Sequence, residues 1–311
     1  MTSLAGLIDR LEDAAAHRTP LEKEHVQAVF FMFPLMFFIV VFILMPVLGT
    51  LYDAFMRDVI FLEKEFIFFT NFKYLFSDPG FWNAVRFTLL FVLISVPLEL
   101  AIGLMIALVM NETIPMRGLL RACVLIPWAI PAAVSGRVFE LIYNYSYGAA
   151  NWLLRVLHIT TEPVNWLGTE IGAFIAVVAA DAWKTTPFAA IILLAGLAAI
   201  SEDLYNQARI DRAGFMTRFF KITLPLLKPV LVVTLLFRTI QALRIFDVIY
   251  VLTGGGPGGA TEAVSNFAYK YFTAGDFGYG SAASVLLFVI ALLLSLFYVK
   301  ASRFGEGVNH A

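Results

Sequence analysis

Long runs without a charged side chain constrain this sequence more than any other feature. The first run extends from Val26 to Tyr52 and the last from Phe277 to Val299, and neither contains Asp, Glu, Lys or Arg. Crossing the hydrocarbon core of a bilayer takes about 20 apolar residues, because each helical residue adds about 1.5 Å. Both runs are long enough, so the sequence predicts a helical protein that spans a membrane.

Four further apolar segments lie between these two runs. The residues are 60% hydrophobic and only 14% charged, whereas about a quarter of the residues in a soluble domain are charged. We therefore predict an all-α integral membrane fold with six transmembrane helices. The predicted spans lie at about 26–52, 83–110, 120–143, 171–198, 229–252 and 278–300.

The distribution of Lys and Arg predicts how the spans are oriented. Both termini and the segment 199–228 carry most of the cations, and cationic segments stay on the cytoplasmic side. We expect a cytoplasmic segment at 1–26, a transmembrane domain at 27–302 and a cytoplasmic tail at 303–311. The charges in 1–26 have helical spacing, which fits either an amphipathic surface helix or a solvated tail.

The cysteine count, the net charge and the positions of the histidines exclude several functional classes. The single cysteine, Cys123, excludes a disulfide framework, and the net charge of −1 argues against nucleic-acid binding. An intramembrane hydrolase would need a Ser/His couple or paired carboxylates inside the spans. Every histidine lies outside the apolar runs, so we expect no catalytic residue and no metal site inside the membrane. We also expect no cofactor to be bound by this chain. The histidines are His17, His25, His158 and His310.

The stretch TGGGPGGATE at 253–262 contains enough glycine to suggest a phosphate-binding loop. No Gly-Lys-Ser/Thr follows it, and it leaves a membrane span rather than a strand. We interpret it as a flexible exit loop, and we find no nucleotide-hydrolysing motif in the chain.

The most cationic stretch between two spans covers 199–228 and is too polar to cross the membrane. Ser201 is a candidate N-cap followed by acids in the first turn, Gly214 can end or turn that helix, and Pro225 and Pro229 suit the start of the next span. The pattern predicts a helix-turn-helix that projects from the membrane. It is either a basic loop that binds anionic headgroups or a docking element for a partner.

The run LYNQARIDRAGFMTRFFKITLPLLKP at 204–229 resembles the EAA loop of ABC-importer permeases. The pattern of that family is Glu-Ala-Ala, three residues, Gly, nine residues, Ile, one residue and Leu-Pro. Asn206 and Gln207 replace its first Glu and Ala, and Arg212 replaces its Gly. The matching positions are Ala208, Asp211, Ala213, Ile222, Leu224 and Pro225.

Other stretches resemble carbohydrate-importer permeases of the maltose and trehalose type, and the resemblance covers about 27–302. These stretches are SDPGFWNAVRFTLLF (77–91), DAWKTTPF (181–188), LAGLAAI (194–200) and LFRTIQALRIFDVIYVLTGGGPG (236–258). The resemblance implies the type I ABC importer permease fold, with both termini cytoplasmic, in a transport subunit that is not an enzyme. The implied cargo is a disaccharide such as trehalose or maltose. The alternatives are another carbohydrate, a sugar or glycerol phosphate, or a stand-alone secondary transporter.

The resemblance also implies partners. A second homologous permease subunit would form a heterodimer with this chain, and two ATP-binding subunits would carry ATP and Mg. An extracytoplasmic binding protein would deliver the sugar to the loops 53–82, 144–170 and 253–277. In such importers the EAA loop inserts into a cleft of an ATPase subunit, so that closure of the ATPase dimer moves the spans. The residues implied in this coupling are Asp203, Leu204, Asn206, Gln207, Ala208, Asp211, Arg212, Ala213, Gly214 and Phe215.

Charged residues inside the predicted spans suggest ion pairs within single helices. Such pairs would let the spans insert into lipid and would face the helical bundle. The candidates, each three residues apart, are Arg137–Glu140, Asp181–Lys184 and Arg244–Asp247. Glu99 has no candidate partner in its own span.

Polar residues recur on one side of the fourth and fifth spans, next to aromatic rings. Sugar hydroxyls donate and accept hydrogen bonds while the C–H faces of a sugar lie against rings, so such a surface suits a sugar. The resemblance to maltose-type permeases implies a mid-membrane sugar site on the same two spans. The predicted contacts are Asp181, Lys184, Thr185, Phe188, Arg238, Gln241, Arg244 and Ile245. Their charges leave an anionic cargo such as a sugar phosphate as an alternative.

Overall fold

The computed structural model describes residues 20–112 and 115–306. The chain forms two compact units, Met1–Asp53 and Ala54–Ala311. Most of the predicted N-terminal segment and the last five residues of the predicted tail lie outside the described residues. In the part of the chain that the structure describes, five helices are long and apolar enough to cross a membrane, and a sharply bent pair supplies a sixth span if it is counted as one.

The first unit contains one long apolar helix with a local irregularity. Helix α1 covers Pro20–Ile39, a π-helical segment covers Val40–Leu44, and α2 covers Met45–Asp53. The π segment widens the helix just before Pro46, which has no N–H to donate to the preceding turn. None of the side chains in the apolar stretch Gln27–Asp53 is buried.

The second unit is almost entirely helical, as the sequence predicted. It begins with a short antiparallel pair of strands, β1 at Met56–Arg57 and β2 at Glu65–Phe66. The helices that follow are α3 (Thr70–Ser77), α4 (Pro79–Asn111), α5 (Arg117–Ala129), α6 (Ala132–Ile142), α7 (Ala149–Val156), α8 (Glu170–Ala198), α9 (Glu202–Ile210), α10 (Phe215–Arg218), α11 (Leu224–Leu243), α12 (Asp247–Leu252), α13 (Val264–Thr273) and α14 (Phe277–Glu306).

Helices α4 and α8 pack along each other at the centre of the second unit. Small residues allow this close approach: Gly103 lies against Ala189 and Ala190, and a Cβ added at position 103 would lie 3.2 Å from atoms of both. Lipid tails are as apolar as side chains, so helices in a membrane associate through such close packing rather than through the hydrophobic effect. The contact leaves no room for a side chain at position 103.

The third predicted span, 120–143, is sharply bent. Helices α5 and α6 meet at an angle of 90°. Pro131 disfavours a helical conformation for the residue before it, and Ile130 is extended, with φ −72° and ψ 133°. Pro131 also lacks the N–H that would continue the helical hydrogen bonds. Helix α5 therefore ends inside the bundle.

The fifth predicted span, 229–252, is shifted along the sequence. Helix α10 continues through a π-helical segment at Phe219–Thr223 into α11, so the apolar helix runs from Phe215 to Leu243. The π segment lies just before Pro225, which cannot donate a backbone hydrogen bond. The chain leaves the helix after Leu243, and α12 is a separate short helix. The segment that was predicted to project from the membrane is therefore continuous with the span.

Hydrogen bonds hold the glycine-rich loop at 253–262 together. Thr261 is fully buried, and its hydroxyl oxygen lies 2.8 Å from the hydroxyl of Thr253 and 2.6 Å from the carbonyl oxygen of Gly256. Gly254 and Gly255 have φ values of +60° and +84°, which residues with a side chain rarely adopt. The glycines therefore allow the tight turns of a hydrogen-bonded loop.

We predict that Gly103→Val destabilises the second unit by about 1–3 kcal/mol, because the added side chain overpacks the contact between α4 and α8. Thermal unfolding of the purified protein in detergent measures the effect. Gly118→Val is the matched control, since a Cβ added at Gly118 would meet no atom within 4 Å. Equal melting temperatures for the two variants would contradict this account of the packing.

Candidate functional site

A cavity of about 280 Å³ lies between α8, α11 and the two places where helices break. The break after α5 and the break after α11 both contribute to its wall, so the cavity exists because two spans are interrupted. The residues that line it are Trp128, Ala132, Asp181, Lys184, Thr185, Arg238, Gln241, Arg244, Ile245, Phe246, Asp247 and Val248.

The structure brings together nearly all of the residues that the sequence analysis assigned to a sugar site. Phe188 is the exception, because it does not line the cavity; its ring stacks on Trp128 with a centroid distance of 6.0 Å and an interplanar angle of 17°. Trp128 therefore presents a supported aromatic surface to the cavity. Whether these residues contact a sugar stays a prediction.

Arg238 is the centre of a buried polar network. Its Nε donates to Glu99 Oε2 at 2.6 Å and its Nη2 to Asp181 Oδ2 at 3.2 Å, while Nη1 donates to Gln241 Oε1 at 2.7 Å. The side chains of Arg238 and Glu99 are 1% and 0% exposed. One guanidinium therefore joins α4, α8 and α11. The burial of Arg238 leaves little of its surface for a substrate, although the sequence analysis assigned it a direct contact.

Lys184 does not form the predicted ion pair with Asp181. Its Nζ donates to the carbonyl oxygens of Trp128 at 3.2 Å and Ile130 at 2.6 Å, while Asp181 binds Arg238. The last carbonyl groups of a helix have no partner within it, and a cation at that end also interacts favourably with the helix dipole. Lys184 therefore caps the broken end of α5.

The other two predicted ion pairs have different outcomes. Arg137 and Glu140 are paired in α6 as predicted, but 70% of the Arg137 side chain is exposed, so within this chain the pair does not face the interior. Arg244 and Asp247 do not share a helix, because α11 ends at Leu243 and Arg244 adopts φ −101°. Both instead line the cavity.

The predicted helix-turn-helix at 199–228 is present, with one important difference in its turn. The Ser201 hydroxyl accepts a hydrogen bond from the N–H of Asp203 at 3.3 Å, which confirms it as the N-cap of α9. The left-handed residue is Arg212, with φ +56°, whereas Gly214 has φ −66° and precedes α10. The turn residue with left-handed φ is therefore Arg212 and not Gly214, which the sequence analysis considered for the turn. The position at which the family pattern has Gly is the one that needs left-handed φ.

A hydrogen bond between side chains links α9 to the base of the fifth span. The hydroxyl oxygens of Tyr205 and Thr223 lie 3.0 Å apart, and Thr223 is 5% exposed at the end of the π segment. Leu204, Ile210 and Phe215 on the same projecting segment expose large parts of their side chains. The segment is thus tied to the span and leaves apolar side chains uncovered within this chain.

Most of the predicted coupling residues are exposed on this segment. Ala208 and Ala213 are half-buried, and the Ala213 N–H donates to the Ala208 carbonyl oxygen at 2.8 Å. Asn206, which replaces the acidic residue of the family pattern, accepts a hydrogen bond from Arg209 Nη1 at 3.0 Å. The exposed residues are Asp203, Leu204, Asn206, Gln207, Asp211, Arg212, Gly214 and Phe215.

Sequence reasoning missed several residues of the site. Glu99 was left without a partner because Arg238 is 139 residues away. Trp128 was overlooked although Pro131, three residues later, signals the break that brings it to the cavity. Asp247 was placed on the helix of Arg244 because the end of α11 carries no Gly or Pro. Among the described residues, no group of His, Cys, Asp and Glu is arranged to hold a metal ion.

The chain combines apolar spans, a polar cavity where two spans are interrupted, and an exposed helical segment that is continuous with a span. These features define a multi-pass transport component. The family described as "Binding-protein-dependent transport system inner membrane component" matches residues 99–303. The chain therefore belongs to this family, the permease subunits of ABC importers, and it is a transport subunit rather than an enzyme.

Three related permeases match most of the chain. The trehalose/maltose transport system permease protein MalF of Thermococcus litoralis is 53% identical over 272 residues, which cover 87% of this chain and 92% of that protein. The sulfoquinovosyl glycerol transport system permease protein SmoG of Agrobacterium fabrum is 38% identical, with 90% and 91% covered. The trehalose transport system permease protein SugA of Mycobacterium tuberculosis is 39% identical, with 76% and 75% covered.

A solved structure has the same fold. It is a chain in the crystal structure of a bacterial alginate ABC transporter in complex with an alginate pentasaccharide-bound periplasmic protein. The two chains superimpose with a TM-score of 0.79 at 23% sequence identity, over 90% of this chain and 95% of that chain. The fold of this chain therefore occurs in a bacterial ABC transporter.

We predict that Arg212→Gly stabilises the turn after α9, because left-handed φ costs a residue with a side chain about 1–2 kcal/mol and costs Gly almost nothing. Hydrogen exchange at the Ala213 amide should slow by about tenfold, since 1.4 kcal/mol corresponds to that factor.

Arg209→Gly is the matched control for this turn, because Arg209 lies in the last turn of α9, where glycine lowers helix stability. That variant should exchange faster at Ala213. Faster exchange in both variants would contradict the left-handed conformation of Arg212.

Proposed function

We propose that this chain is the permease subunit of an ATP-driven importer that carries a neutral disaccharide, trehalose or maltose. The 53% identity to a trehalose/maltose permease over most of both chains supports this cargo. So does the wall of the cavity, where the Trp128 ring lies beside hydrogen-bonding side chains such as Gln241 and Thr185. An aromatic surface next to donors and acceptors suits the apolar and polar sides of a sugar.

The charges around the cavity support a neutral cargo over an anionic one. Each cation binds an acid or carbonyl oxygens, or has an acid nearby in the wall. The charges around the cavity therefore offer no net positive charge to a phosphate. The cations are Lys184, Arg238 and Arg244, and the acids are Asp181, Asp247 and, behind the wall, Glu99. Relatives named for sulfoquinovosyl glycerol and sn-glycerol-3-phosphate keep an anionic cargo as the second candidate.

Transport in this proposal is alternating access around the cavity, driven by separate ATP-binding subunits. Two such subunits would carry ATP and Mg, and one of them would dock on the segment from Asp203 to Phe215, whose exposed apolar side chains fit a groove on a partner. A second, homologous permease subunit would complete the pathway, because the six spans of one chain would form only half of it. The bond between Tyr205 and Thr223 would transmit motion from α9 to the fifth span.

The proposal also orients the chain in the inner membrane. Both termini and the docking segment would lie in the cytoplasm, in accord with the excess of Lys and Arg in those segments. An extracytoplasmic binding protein would deliver the sugar to the loops 53–82, 144–170 and 253–277. In the second of these, Asn151 is 1% exposed and its amide binds the backbone at Tyr145 and Val164. Such a loop offers a preformed surface.

We predict that the complete importer in proteoliposomes accumulates trehalose or maltose only when binding protein and ATP are both present. Uptake of radiolabelled trehalose, maltose and sn-glycerol-3-phosphate measures the cargo. Uptake of sn-glycerol-3-phosphate alone would contradict the proposed neutral cargo and would show that the cargo is anionic. Sugar uptake by this chain without ATP-binding subunits would identify a secondary transporter and overturn the proposal.

We predict that Tyr205→Phe lowers the number of sugars moved per ATP by about fivefold, because one hydrogen bond contributes about 1 kcal/mol to holding α9 against the span. ATP hydrolysis and sugar uptake are measured on the same proteoliposomes.

Tyr298→Phe is the matched control for the loss of a tyrosine hydroxyl. Its hydroxyl lies 3.3 Å from that of Thr239, so the substitution removes the same kind of contact away from α9. An equal transport ratio in the two variants would argue against the role of Tyr205 in transmission.

A further inference from the structure

We propose that Glu99, which does not line the cavity, is a positioning residue that sets the hydrogen-bonding polarity of the substrate site through Arg238. In this arrangement Gln241 presents a donor and Asp181 an acceptor to the substrate. The inference rests on the proposed function of the cavity in moving a neutral sugar. It adds a residue of the second span to a site otherwise formed by the broken third span, the fourth span, the fifth span and the segment that follows it.

The first step concerns the position of Arg238. Its side chain is 1% exposed, and a charge inside a membrane protein has to be paired or coordinated. Glu99 Oε2, on α4, accepts from the Nε of Arg238 at 2.6 Å, and Glu99 does not line the cavity. Glu99 is itself 0% exposed, so neither charge can turn towards water. The pair therefore fixes where the remaining guanidinium N–H groups point.

The second step concerns Gln241. Arg238 Nη1 lies 2.7 Å from Gln241 Oε1, and a guanidinium has only donors, so the amide oxygen has to face it. The amide nitrogen is then on the opposite side, in a residue that lines the cavity. Gln241 consequently offers N–H donors to a substrate, although a free glutamine could offer either end.

The third step concerns Asp181 and Thr185. Asp181 Oδ2 accepts from Arg238 Nη2 at 3.2 Å, and the second carboxylate oxygen can only accept. The Thr185 hydroxyl donates its proton to the Asp181 carbonyl oxygen at 2.6 Å, so its oxygen is left as an acceptor. The wall therefore combines an amide donor with two acceptors.

This polarity selects for hydroxyl groups. A sugar hydroxyl donates one hydrogen bond and accepts others, so it can satisfy a carboxylate and an amide side by side. A phosphate ester oxygen only accepts, so it would supply no donor to the acceptor oxygens that Asp181 and Thr185 turn to the cavity, and it would bind less favourably there. Without Glu99, Arg238 would be free to take both oxygens of Asp181 and would leave the wall more positive.

The test measures sugar transport and ATP hydrolysis together, in the complete importer with trehalose-loaded binding protein. Gln241→Glu keeps an acceptor for Arg238 at nearly the same size but removes the donor. Glu99→Gln removes the charge that holds Arg238. We expect each variant to retain ATP hydrolysis stimulated by the binding protein and to move about tenfold less trehalose per ATP. A defect in folding would instead lower both activities together.

A double variant tests whether Glu99 acts only by neutralising Arg238. Glu99→Gln with Arg238→Gln removes both charges of this pair, and the transport ratio should stay low because nothing orients Gln241. Ser95→Ala is the matched control: Ser95 lies one turn before Glu99, is fully buried, and its hydroxyl has no hydrogen-bond partner. Its transport ratio should equal that of the wild type.

The outcomes separate this inference from the proposed function. No uptake of trehalose or maltose by the wild-type importer would overturn the proposed function and the inference with it. Wild-type uptake with an unchanged transport ratio in Gln241→Glu would overturn the inference alone. Recovery of the ratio in the double variant would show that Glu99 acts only by neutralising Arg238, and would also overturn it.

Discussion

The pairing of Arg238 with Glu99 and Asp181 is the interaction on which the centre of this molecule depends. A guanidinium that is 1% exposed among apolar helices has to keep its partners, because removal of one partner from a buried ion pair costs about 3–5 kcal/mol. The three residues lie on α4, α8 and α11, so one side chain sets how three helices are arranged at the level of the cavity. The small residues around Gly103 bring α4 and α8 close enough for this to happen.

The cavity itself follows from two interruptions of helical structure. Inside a membrane, backbone groups released by a broken helix need partners within the protein, and irregular backbone occurs where it is covered by protein or lines a cavity. Lys184 supplies such partners at the end of α5, where it binds the carbonyl oxygens of Trp128 and Ile130. Lys184 therefore serves the architecture of the site, and the same is true of Arg238. In the proposed function, contact with the sugar would fall mainly to side chains that these two cations hold in place.

The projecting segment depends on covalent continuity as much as on contacts. The helix that begins at Phe215 passes without a break into the fifth span, and the bond between Tyr205 and Thr223 ties α9 to the same helix. The π-helical turn at 219–223 accommodates Pro225 without ending the helix. A short helix held in this way can move together with the span, whereas a segment on a loose linker could not.

The sequence by itself determined which segments are apolar enough to cross the membrane, the N-cap at Ser201, the family of the chain and seven of the twelve residues that line the cavity, because apolar runs, caps and motif spacing are local patterns. It could not show that Glu99 meets Arg238, since that contact depends on how two distant helices pack. The end of α11 at Leu243 and the left-handed Arg212 were also decided by tertiary structure. In each case neighbouring helices or turns impose a conformation that the local residues tolerate but do not require.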